Sequence, residues 1–250
     1  MRLARVATPE GPASAVAEGD RWYLVDDVFA ARPVRTGRSV PADGARLLAP
    51  CTPQVVVGMA HNQRPADGAR RPAQAFLKSA RTVVGPGDGI VVRPSLGATQ
   101  VEGELAAVIG RHVRDLTPAQ ARTAVLGFTI GNDVTALDQI PQDELLTQAK
   151  QGDGFTPLGP WIETELPDPD DVAVRVLLDG VVVATGTTAD LLDGLVDQLV
   201  YVTRYLSLGP GDVVLGGCPG TFATVRPGQR VRIEMDGIGA LESTTEAGPR

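Results

Sequence analysis

The sequence predicts a mixed, β-rich α+β fold built around a rolled or barrel-like sheet. Short apolar runs of the kind that form strands outnumber helical patterns. The chain has 29 glycines and 20 prolines in 250 residues, close to what a turn-rich β protein requires. Three segments also repeat a Pro-Gly turn that leads into a strand, which favours a rolled sheet over alternating βαβ units.

Nine strands are predicted from apolar runs that are bounded by turn residues. They cover residues 22–25, 54–59, 90–93, 102–109, 127–131, 172–178, 181–185, 213–216 and 229–235. Asp179-Gly180 lies between two of these runs and predicts a hairpin, because both positions tolerate a positive φ.

The repeated turns predict where three of the strands begin. In each turn proline presets φ at the second position, and glycine supplies the positive φ needed at the third. The three turns are Gly85-Pro86-Gly87-Asp88, Gly209-Pro210-Gly211-Asp212 and Arg226-Pro227-Gly228-Gln229.

Two helices are also predicted. Thr117 caps the first, Pro118 takes its first position and residues 119–126 follow. The second covers residues 188–206, where leucine and valine recur on one stripe, and it ends before Gly209-Pro210. That stripe is typical of core or dimer packing and indicates no chemistry.

The chain divides near Pro50-Cys51-Thr52-Pro53 into a small, weakly patterned N-terminal portion (1–50) and a larger unit (51–250). Segment 61–75 is polar and irregular, a pattern shared by mobile lids and ordinary surface loops.

Charge and composition argue against several classes of function. The formal net charge is −7 and there is no lysine or arginine block, which argues against nucleic acid or an anionic membrane as the main partner. No run approaches the roughly 20 apolar residues of a spanning helix, and no secretory signal follows Met1. We therefore expect a cytoplasmic protein.

Lysine and histidine are scarce, with two of each in the chain: Lys78, Lys150, His61 and His112. Arginine does not readily deprotonate, so proton chemistry near neutral pH must use these four groups, a carboxylate or a metal-bound water. For the count alone, an arginine-rich coding bias without functional content is the simpler explanation.

An acidic constellation is the most informative pattern. Glu102 and Glu104 are two residues apart on a predicted strand and therefore share a face, where a cation between them would relieve their repulsion. A solvated strand face is the alternative. Asp133 ends the next apolar strand, and three carboxylates without cysteine or histidine indicate Mg²⁺, with Mn²⁺ or Ca²⁺ as alternatives, rather than zinc.

Lys150 lies in a segment rich in glycine and proline, where the backbone can approach a ligand closely. Such a lysine can pair with a substrate carboxylate or stabilise an enolate oxygen. The alternative is a solvent-exposed loop lysine without a function.

In order along the chain, four motifs resemble the fumarylacetoacetate hydrolase family. The similarity is to its short bacterial members, such as acylpyruvate hydrolases and 2-hydroxyhepta-2,4-diene-1,7-dioate isomerases, and it extends from about residue 55 to residue 241. The motifs are Glu102-Gly103-Glu104-Leu105-Ala106, Gly127 to Ala136, Lys150-Gln151-Gly152-Asp153-Gly154-Phe155 and Leu158-Gly159-Pro160-Trp161.

The resemblance implies the family's mixed β-roll, a homodimer and a small-molecule oxo or enol substrate. It implies that Glu102, Glu104 and Asp133 are metal ligands and that Lys150 contacts the substrate beside the metal. Family members act on 1,3-dicarbonyl or 2-oxo acids, whose developing negative charge a divalent ion can stabilise.

The chain departs from the family pattern at several positions. His61 stands where the family tends to have tyrosine, and Arg64 where it has the histidine of a lid dyad. Leu137 and Ile140 replace an arginine and a glutamine that bind substrate in family members. Cys218 replaces a threonine and is interpreted as a small pocket-lining residue. These losses predict a less charged, more apolar ligand.

Three functions stay open at this point. The first is metal-dependent hydrolysis of a C–C bond in a β-dicarbonyl or 2-oxo compound, with His61 or a metal-bound water moving the proton. The second is decarboxylation or isomerisation through the same enolate. The third is a diverged member that binds or shapes an apolar biosynthetic intermediate without hydrolysis.

Overall fold

The computed structural model describes residues 1–65, 70 and 72–249, and within them the predicted β-rich architecture is confirmed. These residues form nineteen strands and three short α-helices. The strands are β1 (Arg2–Thr8), β2 (Gly11–Glu18), β3 (Arg21–Val25), β4 (Arg35–Pro41), β5 (Leu47–Leu48), β6 (Val56–Ala60), β7 (Gln74–Lys78), β8 (Val83–Val84), β9 (Gly89–Val92), β10 (Thr99–Ile109), β11 (Val125–Asn132), β12 (Thr135–Ala136), β13 (Thr156–Glu163), β14 (Ala173–Leu178), β15 (Val181–Thr187), β16 (Val213–Leu215), β17 (Phe222–Val225), β18 (Arg230–Met235) and β19 (Gly239–Ala247). The helices are α1 (Pro118–Ala121), α2 (Thr147–Lys150) and α3 (Leu195–Tyr205).

The described strands form two sheets. The larger has the order β4-β3-β2-β1-β13-β11-β10-β16-β6-β7, with β5 paired to β1, β8 to β13, and both β12 and β17 to β10. The smaller has the order β15-β14-β18-β19-β9. Strand β10 pairs with four others and is the hub of the larger sheet. Because β1 pairs with β13, the strands of residues 1–50 continue the same sheet.

All nine predicted strands are present, with ends shifted by at most three residues. The other strands lack a strong apolar pattern of their own. Strand β13 contains Pro157 and Pro160, which disfavour a central strand, yet it lies between β1 and β11 and is almost wholly buried. Its pairing partners, rather than its own propensity, make it a strand.

The three repeated Pro-Gly turns close in the same way. In each turn the third-position glycine has a φ between 82° and 89°, as predicted. The side chain of the fourth residue also accepts a hydrogen bond from the backbone N–H of the first residue. The donor and acceptor pairs are Gly85 N and Asp88 Oδ2 (2.8 Å), Gly209 N and Asp212 Oδ2 (2.7 Å), and Arg226 N and Gln229 Oε1 (2.8 Å).

Both predicted helices are shorter than expected. Helix α1 is followed by a 3₁₀ turn over Arg122–Ala124, and Val125 already pairs with Ile109 in the sheet. Helix α3 begins at Leu195 instead of residue 188, because the backbone N–H groups of residues 192 and 193 bond to Asn62 instead of continuing a helix. The predicted apolar stripe does pack into the core, through Leu195, Leu199 and Val202 among others.

Segment 61–75 is irregular only in part. Its last two residues belong to β7, and Gln63 forms an isolated bridge with Leu191. Residues 66–69 and 71 lie outside the described residues. Among the described helices, none has the length and apolar character needed to cross a bilayer.

We predict that Asp212→Ala will lower the free energy of unfolding by about 2–3 kcal/mol, because three backbone N–H groups lose their acceptor. These groups belong to Gln54, Val55 and Gly209. Chemical denaturation of wild type and variant measures the difference. Asp236→Ala is a suitable control, since this carboxylate is exposed and makes only a surface ion pair with Arg175. Equal stability of the wild-type protein and Asp212→Ala would contradict the assigned role of this turn.

Candidate active site

Glu102 and Glu104 share one face of β10, as their spacing predicts, and this face is buried. The side chain of Glu104 is 2% exposed, and that of Glu102 is 14% exposed. Farther along the same face, Ala106 and Val108 belong to a buried cluster. The alternative of a solvated strand face is therefore wrong.

Asp133 joins the two glutamates through the pairing of β10 with β11. Gly103 pairs with Asn132, the last residue of β11, and Asp133 follows directly. The Asp133 N–H donates to Glu102 O at 3.0 Å, and the Glu102 N–H donates to Asn132 Oδ1 at 3.0 Å. These bonds bring one oxygen each of Glu102, Glu104 and Asp133 within 4.8 Å of one another.

Each of the two glutamates has one oxygen held by a hydrogen-bond donor of the protein. Glu102 Oε1 accepts from Gln100 Nε2 at 2.9 Å and from Thr135 Oγ1 at 2.8 Å. Glu104 Oε2 accepts from the Gly217 N–H at 2.8 Å. Hydrogen bonds of this kind orient a carboxylate and leave its second oxygen for another partner.

Lys150 reaches this cluster from the last residue of α2. The sequence predicts a loop here, but Asp143 Oδ2 accepts from the backbone N–H groups of Gln148 and Ala149 and organises a helical turn instead. Lys150 Nζ lies 2.5 Å from Asp133 Oδ2 and 3.5 Å from Glu102 Oε2, and its side chain is 7% exposed. A solvent-exposed lysine is thereby excluded.

Lys78, at the end of β7, contacts the acidic cluster, whereas the sequence singles it out only as one of four scarce proton-carrying groups and assigns it no place in the site. Its side chain is 0% exposed. Its Nζ donates to Asp133 Oδ1 at 2.5 Å, to Phe155 O at 2.8 Å and to Val134 O at 3.3 Å. The one signal in the sequence was the rarity of lysine. Both lysines of the chain contact the same carboxylate, that of Asp133.

The pKa shifts follow from these contacts. Burial alone would raise the pKa of Asp133, but Lys78 and Lys150 outweigh it and hold that pKa below its usual value. Burial and the charges of Asp133 and Glu102 raise the pKa of Glu104 well above its usual value. Burial would lower the pKa of Lys150, but Asp133 and Glu102 outweigh it and raise that pKa. Burial lowers the pKa of Lys78, against the opposing charge of Asp133.

The cluster opens into a cavity of about 270 Å³. This cavity brings together all eight residues that the sequence predicts for the site: His61, Glu102, Glu104, Asp133, Leu137, Ile140, Lys150 and Cys218. Residues not predicted for the site also line it, among them Met59, Phe76, Gln100, Thr135, Leu146 and Phe222.

Leu137 and Ile140 form part of the wall because both lie on a 3₁₀ helix, Leu137–Gln142. With three residues per turn, positions 137 and 140 project from the same side. The helix is tied to the preceding loop, since the Leu137 N–H donates to Ala98 O at 2.8 Å and Gln139 Nε2 to Leu96 O at 3.1 Å.

His61 and Cys218 complete the lining. His61 is exposed and has a φ of 55°, a left-handed conformation that residues other than glycine adopt rarely and that is enriched at functional sites. Burial, reinforced by Glu102 and Glu104, raises the pKa of the Cys218 thiol. Cys218 is therefore suited to line the pocket and poorly suited to act as a nucleophile.

The donor set fits a hard divalent cation. Glu102, Glu104 and Asp133 offer only oxygen ligands, as Mg²⁺, Mn²⁺ and Ca²⁺ prefer, and no thiolate or imidazole joins their cluster among the described residues. When all three carboxylates are ionised, they outnumber the two ammonium groups of Lys78 and Lys150, and the net negative charge favours such an ion.

Comparison with known proteins finds a matching family model for each part of the chain. Residues 49–246 match the family model described as fumarylacetoacetate (FAA) hydrolase C-terminal. Residues 1–50 match the model described as Rv2993c-like, N-terminal. The chain is 36% identical to protein Rv2993c of Mycobacterium tuberculosis over 258 residues, which cover 96% of each chain.

Two solved structures are similar over nearly the whole length. One is a 5-carboxymethyl-2-hydroxymuconate delta-isomerase from Mycobacterium smegmatis, with a TM-score of 0.94 and 37% identity over 99% of this chain and 100% of that one. The other is a 2-hydroxyhepta-2,4-diene-1,7-dioate isomerase from Mycobacterium marinum, with a TM-score of 0.93 and 36% identity over 100% of both chains.

We predict that Mg²⁺ at about 100 times its Kd will raise the melting temperature of the protein by roughly 5–10 °C. In Glu104→Gln this rise should be lost, because one of the three ligand oxygens loses its charge. The fold itself should tolerate the change. The pKa of Glu104 is raised, so its ionised side chain lowers the stability of the fold at any pH above the usual glutamate pKa. The neutral amide of glutamine removes this destabilisation.

Thermal denaturation with and without MgCl₂ measures both effects. Glu165→Gln, at an exposed glutamate outside the cavity, is the matched control and should keep the full rise. An undiminished rise in Glu104→Gln would mean that the cation binds elsewhere.

Proposed function

Because the chain belongs to the fumarylacetoacetate hydrolase family, we propose that it is a divalent-metal-dependent enzyme that hydrolyses a C–C bond in a β-dicarbonyl or 2-oxo compound. The resemblance drawn from the motifs is confirmed, and so is the expected fold of that family. Mg²⁺ as the ion, a homodimer and a cytoplasmic location stay predictions from the sequence.

The observation that carries this proposal is the convergence of Glu102, Glu104, Asp133 and Lys150 at one end of a single cavity. Cleavage of a bond next to a carbonyl places negative charge on the carbonyl oxygen, and the reaction is accelerated when that charge is stabilised. A divalent ion held by the three carboxylates would, when bound, supply Lewis acidity for this purpose.

The protein's own side chains would orient the substrate and move the proton. The raised pKa of Lys150 keeps its ammonium group charged, so that it can donate to a substrate oxygen. His61 lies at the exposed rim of the same cavity and is the residue we assign to proton transfer. Burial of the carboxylate end excludes most bulk water, which strengthens these electrostatic interactions.

The apolar wall of the cavity indicates the kind of substrate. Leu137, Ile140 and Phe222 contribute to it, and Ile140 and Phe222 are 41% and 46% exposed. Such a wall offers no cation for a second carboxylate on the substrate. We therefore propose an oxo or enol head group with an apolar remainder, recognised by burial rather than by charge pairing.

A second candidate is isomerisation or decarboxylation through the same enolate, which needs no activated water. It is favoured by the two similar solved structures, both of which are named isomerases. Product analysis separates it from hydrolysis. The third candidate, binding of an apolar intermediate without turnover, rests on the loss of polar groups at Leu137 and Ile140.

We predict that activity on a panel of acylpyruvates and oxaloacetate will be abolished by EDTA and restored by Mg²⁺. Glu104→Ala should lower kcat/KM by at least about 100-fold, because the stabilisation of developing charge is lost. Glu165→Ala is the matched control and should keep full activity. Activity that is indifferent to both EDTA and Glu104→Ala would overturn the proposed function, whereas tight binding of an apolar enol without turnover would support the third candidate.

We further predict that Leu137→Arg combined with Ile140→Gln will raise kcat/KM for acidic relative to apolar substrates by about tenfold or more, since a charged hydrogen-bonding partner is restored. Leu145→Arg introduces the same charge at an 81% exposed leucine that does not line the cavity, and it should change this ratio little. An equal ratio in the double variant and wild type would show that other residues set the preference.

A further inference from the structure

Lys150 is placed on the oxygen atoms that a divalent ion would need. Its Nζ lies 2.5 Å from Asp133 Oδ2 and 3.5 Å from Glu102 Oε2. The other oxygens of these two carboxylates are held by separate donors, Lys78 for Asp133 and Gln100 with Thr135 for Glu102. An ion that uses the oxygens without a hydrogen bond from another donor therefore competes with the ammonium group for these same two oxygens.

The two lysines of the site differ in how firmly they are held. Lys78 is 0% exposed, and its ammonium group has three protein acceptors, two of which are backbone carbonyls. Among the described residues, the acceptors of Lys150 Nζ are side-chain carboxylates only, and Lys150 lines the open cavity. Lys78 is therefore locked in place, whereas Lys150 has room to move.

The Lys150 ammonium has a further neighbour that is not a carboxylate. While it contacts Asp133, its Nζ also lies 5.0 Å from the centre of the Phe76 ring, within the range of a cation–π interaction. Phe76 lines the same cavity, and its ring packs so closely over Gly58 that a Cβ at position 58 would overlap it. The ring is thus fixed beside the cavity, and it offers the ammonium group a favourable contact that does not depend on the carboxylates.

We propose that Lys150 is an exchangeable counterion of the acidic cluster, which a divalent ion displaces towards Phe76 and the substrate, while Lys78 is the permanent counterion. The inference rests on the proposed function in one respect, that Glu102, Glu104 and Asp133 bind a divalent ion. It adds that ion binding and release of Lys150 are a single coupled event.

The physical basis is charge repulsion in a buried site. A divalent ion and an ammonium group that share two oxygens would lie a few ångströms apart, where like charges repel strongly because little water screens them. Displacement relieves this repulsion and leaves Lys150 with an unused donor. The ion therefore binds before the substrate, since Lys150 becomes available to a substrate oxygen only after displacement.

The first test uses the scarcity of lysine. With only two lysines in the chain, protein labelled with ¹³C at lysine Cε gives two side-chain NMR signals, which Lys150→Arg assigns. Titration with MgCl₂ should shift the Lys150 signal and leave the Lys78 signal in place. A Lys150 signal that does not move while Mg²⁺ binds, as measured by calorimetry, would overturn the proposal. The titration itself uses the wild-type protein, and a variant is needed only for the assignment.

The second test measures the affinity for Mg²⁺ by calorimetry. Lys150→Met removes the competing charge and should lower the Kd for Mg²⁺ by about tenfold or more. Tenfold is the lower end of the effect that a neighbouring unit charge has on an ionisation constant. Lys150→Arg keeps the charge and should not tighten the Kd. Arg204→Met removes an exposed cation at the end of α3 and should change the Kd by less than about twofold.

The outcomes separate this inference from the proposed function. If wild type binds no Mg²⁺, both the metal site and the exchange are wrong. If wild type binds Mg²⁺ but Lys150→Met binds it equally or more weakly, the exchange is wrong and the metal site stands. Tighter binding in Lys150→Met, together with a shifted Lys150 signal in wild type, supports the exchange.

Discussion

The carboxylate of Asp133, held between two buried ammonium groups, is the interaction on which the site depends. Three carboxylates in a buried space repel one another, and each would be strongly disfavoured as an unpaired charge. Lys78 and Lys150 supply opposite charge from two separate parts of the chain, the end of β7 and the end of α2. Their meeting on one carboxylate offsets the repulsion that Glu102 and Glu104 would otherwise meet beside it.

The surrounding architecture keeps these groups in register. Strand β10 carries both glutamates and pairs with four other strands, so its position is over-determined. A second buried network fixes the turn that contacts Glu104. Asn62 Nδ2 and Gln198 Nε2 both donate to Gly216 O, at 2.8 Å and 3.1 Å, directly before the Gly217 N–H that bonds the glutamate. Because His61 precedes Asn62, the same network also fixes the exposed rim of the cavity.

The cavity combines two kinds of surface that serve different purposes. Its buried end holds charges of both signs and is suited to stabilise developing negative charge. Leu137 and Ile140 add an apolar surface, at two positions where the resemblance noted from the sequence implies polar groups. Under the proposed function, chemistry and recognition are carried by different elements, since Glu102 and Glu104 lie on β10, Asp133 directly follows β11, and the apolar pair lies on one short 3₁₀ helix. We expect that a change in that helix can alter the substrate without disturbing the charge cluster.

The sequence by itself determined much of this protein, because periodicity and turn chemistry are local. It was sufficient for nine strands, the Pro-Gly turns and the shared face of Glu102 and Glu104. It could not indicate strands such as β13, whose existence depends on neighbours distant in sequence. Nor could it show that Lys78 reaches Asp133, 55 residues away, or that Lys150 meets it on the same carboxylate. Only the tertiary structure decided these contacts, because strand pairing and the burial of charge bring together residues that no local pattern relates.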